Sequence, residues 1–365
     1  MAFSITDFNY HLPPQHIAKY PAEPRDSSKL LVINRSTQEL IDDHFYNLAA
    51  YFSPGDVLVR NNTKVIPARI IGTKVTGGKL EILLVKKLEN TAKTETWECL
   101  TKPGMKVGQT GLFGPKLRGT CNSISADTYT RTIVFNMAGP AFIEELTAIG
   151  ITPLPPYIAE AHADENAFRD QYQTIYAQHD GSAAAPTAGL HFTQSLDKKL
   201  HQKGVEIVEV TLHVGLGTFL PVKTEIITDH HMHSEWFELS KEAAKKIQTA
   251  KQNKKKIIAV GTTSNRVLET SSTLREKNQF HIKENAAETD IYIYPPYKFI
   301  CTDALITNFH LPQSTLLMLV SAFVSEPNTA EPFTTFSESL VGKAYAHAIR
   351  HNYRFYSFGD GMLIL

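Results

Sequence analysis

The chain has 365 residues, 42% of them hydrophobic, and Lys+Arg and Asp+Glu both total 37. That length supports a full core and two domains of roughly 100–200 residues each, and the balanced charge excludes a global field that would attract a polyanion. No apolar run approaches the ~20 residues of a membrane span, and Met1-Ala2-Phe3-Ser4 opens no secretory signal, so a cytoplasmic protein is expected.

A polar, proline-rich opening leads into strands expected at 30–34 and 57–60. From residue 62 the texture changes. Short β-rich runs at 65–71, 80–85, 96–100 and 129–135 alternate with Gly-bearing turns at Gly77-Gly78, Pro103-Gly104, Gly108, Gly111 and Gly114, the pattern of a small all-β barrel. A helix is expected over 141–149, closed by Gly150. Strand and helix then alternate: strand 205–210, helix 241–250, strand 257–260 and a helix from 264. A strand at 305–308 gives way to a buried helix, then come a mobile loop at 325–339, a helix at 344–350 and a strand at 353–358 before a turn at Gly359-Asp360-Gly361. The fold class is therefore α/β: a discontinuous α/β domain (1–61 and 150–365) with an inserted small, barrel-like all-β domain (62–149). Cys99, Cys121 and Cys301 are odd in number and far apart, which suggests buried thiols rather than a disulfide framework or zinc ribbon.

Three segments place a histidine at a turn rich in Gly, Pro or hydroxyls. The first runs Ser182-Ala183-Ala184-Ala185-Pro186-Thr187-Ala188-Gly189-Leu190-His191-Phe192-Thr193. The others are Thr211-Leu212-His213-Val214-Gly215-Leu216-Gly217-Thr218-Phe219 and Thr307-Asn308-Phe309-His310-Leu311-Pro312. Residues without bulk let backbone approach a ligand, and imidazole transfers protons near neutral pH. Gly261-Thr262-Thr263-Ser264 joins a strand to a helix, where amides and hydroxyls can face an anion, with Arg266 suited to a carboxylate and Glu269 to a nearby cation or hydroxyl. Thr263 or Ser264 could equally just cap the helix. His231, His233 and Glu235 could share one face of a strand as metal ligands, or lie in a polar turn. Lys64 and Arg69 are the first candidates for phosphate contacts, since they flank the domain junction. Walker, Gly-x-Gly-x-x-Gly, Gly-x-Ser-x-Gly and Cys-x-x-Cys motifs are absent.

Together these segments, with Asp7-Phe8-Asn9-Tyr10-His11-Leu12-Pro13 and Asn62-Thr63-Lys64-Val65-Ile66-Pro67-Ala68-Arg69, resemble the S-adenosylmethionine:tRNA ribosyltransferase-isomerase family of queuosine biosynthesis over nearly the whole chain. Lys29, Pro296 and Gly361 depart from the family pattern, and the 325–339 loop looks expanded. The resemblance implies transfer and isomerisation of the ribosyl unit of S-adenosylmethionine onto 7-aminomethyl-7-deazaguanine at the tRNA wobble position. Adenine and methionine are released and epoxyqueuosine is formed. It implies His191, His213, His310 and His233 as candidate proton carriers. Thr187, Gly189, Thr262, Thr263, Ser264, Arg266, Glu269 and Asn308 become substrate-binding candidates. Neither a metal nor a cofactor beyond the co-substrate S-adenosylmethionine is implied. A metal-dependent hydrolase using His231 and His233, or a non-catalytic RNA-binding module, are the competing expectations.

Overall fold

The strand Lys29–Ile33 is buried from Leu30 onward, and it sends Leu30 and Val32 into one apolar cluster and Leu31 and Ile33 into another, because successive side chains of a strand leave opposite faces. The same division splits Leu58 from Val57 and Val59, Ile258 and Val260 from Ile257 and Ala259, and Ile306 from Leu305. These strands therefore belong to a sheet covered on both faces. The computed structural model describes residues 3–126, 130–159, 168–215 and 222–365.

The sheet contains Lys29–Ile33 (β1), Leu40–His44 (β2), Val57–Asn61 (β3), Glu206–Leu212 (β4), Glu235–Leu239 (β5), Ile257–Val260 (β6), Asn285–Thr289 (β7), Ala304–Asn308 (β8) and Gly361–Ile364 (β9). The nine strands run in the order β7-β5-β4-β3-β6-β8-β9-β1-β2. The centre, β4-β3-β6-β8, is parallel, with antiparallel strands towards both edges. One face is covered by the helices Lys241–Gln252, Gly261–Ser271, Thr315–Phe323 and Leu340–Arg350, through residues such as Ile247, Val267, Leu319 and Ala344. Leu196 and Leu200 of the helix Gln194–Lys203 cover the other.

A closed six-stranded barrel is built from Arg69–Lys74, Lys79–Asn90, Glu95–Lys102, Thr110–Phe113, Leu117–Ile124 and Arg131–Phe135. The helix Gly139–Ile149 packs Phe142 and Leu146 against its core. The barrel strands thus come from 69–135, while the sheet draws on 29–61 and 206–364.

Several expectations change. Gly111 is not a turn residue: it lies inside a strand, where a Cβ would stand 2.5 Å from Leu80 Cδ2, so its lack of a side chain permits packing. The strand Leu117–Ile124 was not foreseen, and the expected run from 65 divides, since Thr63–Val65 pairs separately with His179–Ser182. Tyr129 lies outside the described residues. The aromatic run 353–358 is not a strand; Tyr353, Phe355 and Phe358 are buried core side chains, and the final strand forms at 361–364 instead. Nor is 325–339 loose: Phe333 and Phe336 are buried, and Asn328 bonds the backbone of Tyr297, Phe299 and Ala322. Ser314 caps the buried helix Thr315–Phe323, accepting from the Leu317 amide, as its position suggested. All three cysteines are free and buried. Among the described residues no helix is long and apolar enough to cross a membrane.

Candidate active site

Backbone leaving the carboxyl ends of parallel strands must turn, and the turns after β6 and β8, with the segment 184–188, surround a cavity of about 590 Å³. That is within the roughly 300–1,000 Å³ typical of small-molecule sites. The β6 turn requires Gly261, whose φ of +84° favours glycine. The helix Gly261–Ser271 that follows has no side-chain cap, so the amides of its first turn remain available beside Thr262 and Thr263 on the cavity wall. The buried Thr263 hydroxyl also has no partner among the described residues.

His310 lies on the same wall. Its backbone is fixed from two sides: the amide donates to Tyr345 Oη at 2.8 Å and the carbonyl accepts from Tyr10 Oη at 2.5 Å. Its Nε2 meets Thr307 Oγ1 at 2.7 Å, which leaves Nδ1 without a partner among the described residues. Burial lowers its pKa from 6.5 to about 3, so the ring is neutral at pH 7.

His191 is differently placed. It stacks on Phe45 at 4.0 Å behind the cavity wall, with Nδ1 at 2.7 Å from Ser28 Oγ and Nε2 at 3.2 Å from the Asn308 amide nitrogen. One hydrogen arrangement satisfies the chain. Thr187 donates to Asn308 Oδ1, the Asn308 amide to His191 Nε2, His191 Nδ1–H to Ser28, and Ser28 to the Arg25 carbonyl. With both ring nitrogens engaged, His191 orients Asn308 and Thr187, which themselves line the cavity. Burial, then the charges of Arg354 and Arg25, lower its pKa to about 3.

His213 bonds Thr63 Oγ1 through Nδ1 at 2.8 Å and stacks on Trp236. Gly181 makes room for that ring, since a Cβ there would stand 2.8 Å from Nε2. Burial, then His179 and Lys87, lower its pKa to about 4. The continuation of its motif, Leu216-Gly217-Thr218-Phe219, lies outside the described residues. His233 lines a smaller cavity of about 50 Å³ that shares Thr262, Thr263 and Leu316 with the larger one.

Three comparisons bear on this geometry. A family model described as "Queuosine biosynthesis protein" matches residues 5–364. The chain belongs to this family. Curated relatives named S-adenosylmethionine:tRNA ribosyltransferase-isomerase include that of Clostridioides difficile, 49% identical over 98% of both chains, and that of Thermosipho melanesiensis, 47% identical over 99% of both. A solved structure, the S-adenosylmethionine tRNA ribosyltransferase of Thermotoga maritima, is 36% identical with a TM-score of 0.53, covering 98% of this chain and 100% of that one.

Several candidates have partners in the frame of the protein. Arg266 forms a buried ion pair with Glu235 and donates to the Thr289 carbonyl at 3.2 Å, so most of its charge is met within the chain, although both side chains line the smaller cavity and Arg266 Nε has no partner among the described residues. Glu269 accepts the backbone amides of Ile300, Cys301 and Thr302, holding that segment against the helix instead of facing a substrate cation. The Ser264 hydroxyl donates to the Val260 carbonyl within its own helix and is fully buried, so it neither caps nor contacts the cavity. Gly189 gives room to Tyr176, whose hydroxyl a Cβ would overlap, so its smallness serves packing. His231 and His233 precede β5 rather than lying in it, and with Glu235 they do not gather. Among the described residues the one group of metal-ligating atoms that converges is Asp42, His347 and His351. Lys64 is exposed and stands 3.5 Å from Asp180, and Arg69 opens the first barrel strand.

Sequence reading missed Tyr157, Tyr356 and Ser357 on the cavity wall. Ser357 Oγ lies 2.5 Å from Tyr157 Oη, and the two tyrosine rings meet at 5.0 Å. Tyr356 has a φ of +72°, a strained value for a bulky residue. The available signal was the interleaved aromatics of 353–358, which suited a strand equally well.

Proposed function

We propose that this chain is an S-adenosylmethionine:tRNA ribosyltransferase-isomerase acting on tRNA that carries 7-aminomethyl-7-deazaguanine at the wobble position, and that the large cavity holds S-adenosylmethionine. The observation that carries the reading is that cavity, with His310, whose Nδ1 has no partner among the described residues, on its wall, in a chain matched to the family over 5–364. The sulfonium acidifies the adjacent 5′ carbon. A base removes that proton, the ylide opens the ribose ring and adenine leaves; the amine attacks, and methionine departs as the epoxide closes.

His310 is our candidate for the base. Its neutral ring keeps a lone pair at pH 7 to accept the proton. Thr187, Thr262, Thr263 and Asn308 supply polar contacts, and the amides at Gly261–Thr263 receive the methionine carboxylate in place of Arg266. His213 and His233 flank the site, and His191 holds its polar wall. No cofactor beyond S-adenosylmethionine is assigned. Lys64 and Arg69 are proposed phosphate contacts at the edge of the inserted 62–149 unit; Lys64 would leave Asp180 at a cost of at most ~1 kcal/mol.

Mass spectrometry of nucleosides from tRNA incubated with enzyme and S-adenosylmethionine tests the assignment. The 7-aminomethyl-7-deazaguanosine nucleoside should convert to its epoxycyclopentanediol derivative. Intact tRNA binding without conversion would instead leave an RNA-binding module.

A further inference from the structure

The helix Leu340–Arg350 and its C-terminal residue His351 place His347 and His351 four residues apart, hence on one face, with ring centroids 3.9 Å apart. The edge strand β2 brings Asp42 against them, its carboxylate oxygens 2.9 and 3.1 Å from His347 Nε2. One ligand atom from each of the three lies within 4.8 Å of the others. We propose that Asp42, His347 and His351 form a surface site for one divalent cation of the zinc, cobalt or nickel type.

Two imidazoles and one carboxylate suit such ions better than Mg²⁺ or Ca²⁺, which take mainly oxygen ligands. The surroundings already hold these groups as metal ligands are usually held. His351 Nδ1 donates to the His347 carbonyl at 2.8 Å, which fixes the tautomer and leaves the lone pair on Nε2. Tyr353 Oη donates to Asp42 Oδ1 at 2.5 Å, and Oδ2, 2.9 Å from His347 Nε2, is the oxygen that an ion would take in place of that hydrogen bond. Asp42 and Asp43 bring two carboxylates to this face, Asp360 is paired with Arg354 at 3.3 Å, and the ammonium of Lys29 is bound to the His351 carbonyl at 2.8 Å. A bound ion would tie β2, at the sheet edge, to the helix whose Tyr345 receives the amide of His310.

Tag-free protein titrated with Co²⁺, followed by its visible absorption and then displaced with Zn²⁺, tests the site. One equivalent should bind to the wild-type chain. Asp42→Asn and His351→Ala should each weaken binding at least tenfold. Tyr353→Phe, which keeps the ring and removes only the donor to Asp42, should weaken it roughly tenfold. Zn²⁺ should raise the thermal midpoint of the wild-type chain but not of His351→Ala. The three substituted chains are checked for wild-type circular dichroism. Absence of stoichiometric binding, undiminished affinity in Asp42→Asn and His351→Ala, or loss of binding in His231→Ala/His233→Ala instead, would overturn the proposal.

Discussion

Glu235→Gln separates two readings of Arg266. Glu235 and Arg266 are 6% and 7% exposed, and the carboxylate serves two partners: Oε2 meets Arg266, while Oε1 accepts the Gly215 amide at 2.8 Å. Glutamine keeps the shape and removes the charge, leaving a buried guanidinium uncompensated, at a cost of about 3–5 kcal/mol. Arg266→Met alone strands the carboxylate and should cost a similar amount. The double variant Glu235→Gln/Arg266→Met should cost less than the sum of the two single changes, by a coupling of about 1–3 kcal/mol, because the second change removes the charge that the first leaves unpaired. Urea unfolding followed by fluorescence gives the four stabilities, and calorimetry gives S-adenosylmethionine binding for each chain. If Arg266 served a ligand carboxylate, Arg266→Met would weaken binding while leaving stability near wild type. Additive stabilities with binding lost only on changing Arg266 would refute the ion-pair assignment.

Other expectations follow from the same geometry. His310→Ala should lower turnover by roughly 10²–10⁴-fold with tRNA affinity near normal, whereas loss of tRNA binding would make the residue structural. The histidines His191, His213 and His310, with pKa values lowered to about 3, 4 and 3, give stability a pH dependence. The unfolded chain binds their protons below about 6.5 while the folded chain does not, so stability is full above that pH. It falls by up to ~1.4 kcal/mol per pH unit for each residue as pH drops towards 4. Urea midpoints at pH 7.5 and 5.5 that coincide would contradict this. Gly189→Ala places a methyl against the Tyr176 hydroxyl and should cost about 1–3 kcal/mol, partly restored by Tyr176→Phe; an unaffected thermal midpoint would return Gly189 to the list of ligand-approach positions.

Legibility followed the strength of local pattern. The runs at 257–260 and 305–308 are continuous apolar segments followed by turns, and both appear as central parallel strands with the cavity at their ends. The barrel was visible as a texture, but Gly111 and Gly119 sit inside strands because neighbouring aromatic rings fill the space above them, a fact no local propensity carries. Tyr353 and Phe355 read as a strand for the opposite reason: their aromatic alternation is set by burial around Phe309 and Tyr345. The turns at Thr187–His191 and after His310 were legible as turns, while the stretch from Leu216 of the third segment lies outside the described residues. Which imidazole faces the cavity was not, since that depends on Ser28 and Asn308, residues 163 and 117 positions from His191, occupying its ring nitrogens. Arg266 and Glu269 looked like ligand groups because sequence shows their charge but not their distant partners Glu235 and the 300–302 backbone.

The most direct test of the ribosyl-transfer assignment is the stoichiometry of products from S-adenosylmethionine. Purified chain, S-adenosylmethionine and tRNA bearing 7-aminomethyl-7-deazaguanine should release adenine and methionine in equal amounts, one of each per nucleoside modified, and neither when the tRNA carries unmodified guanine. Formation of S-adenosylhomocysteine with a methylated tRNA, or no adenine release from a chain that binds both substrates, would contradict it.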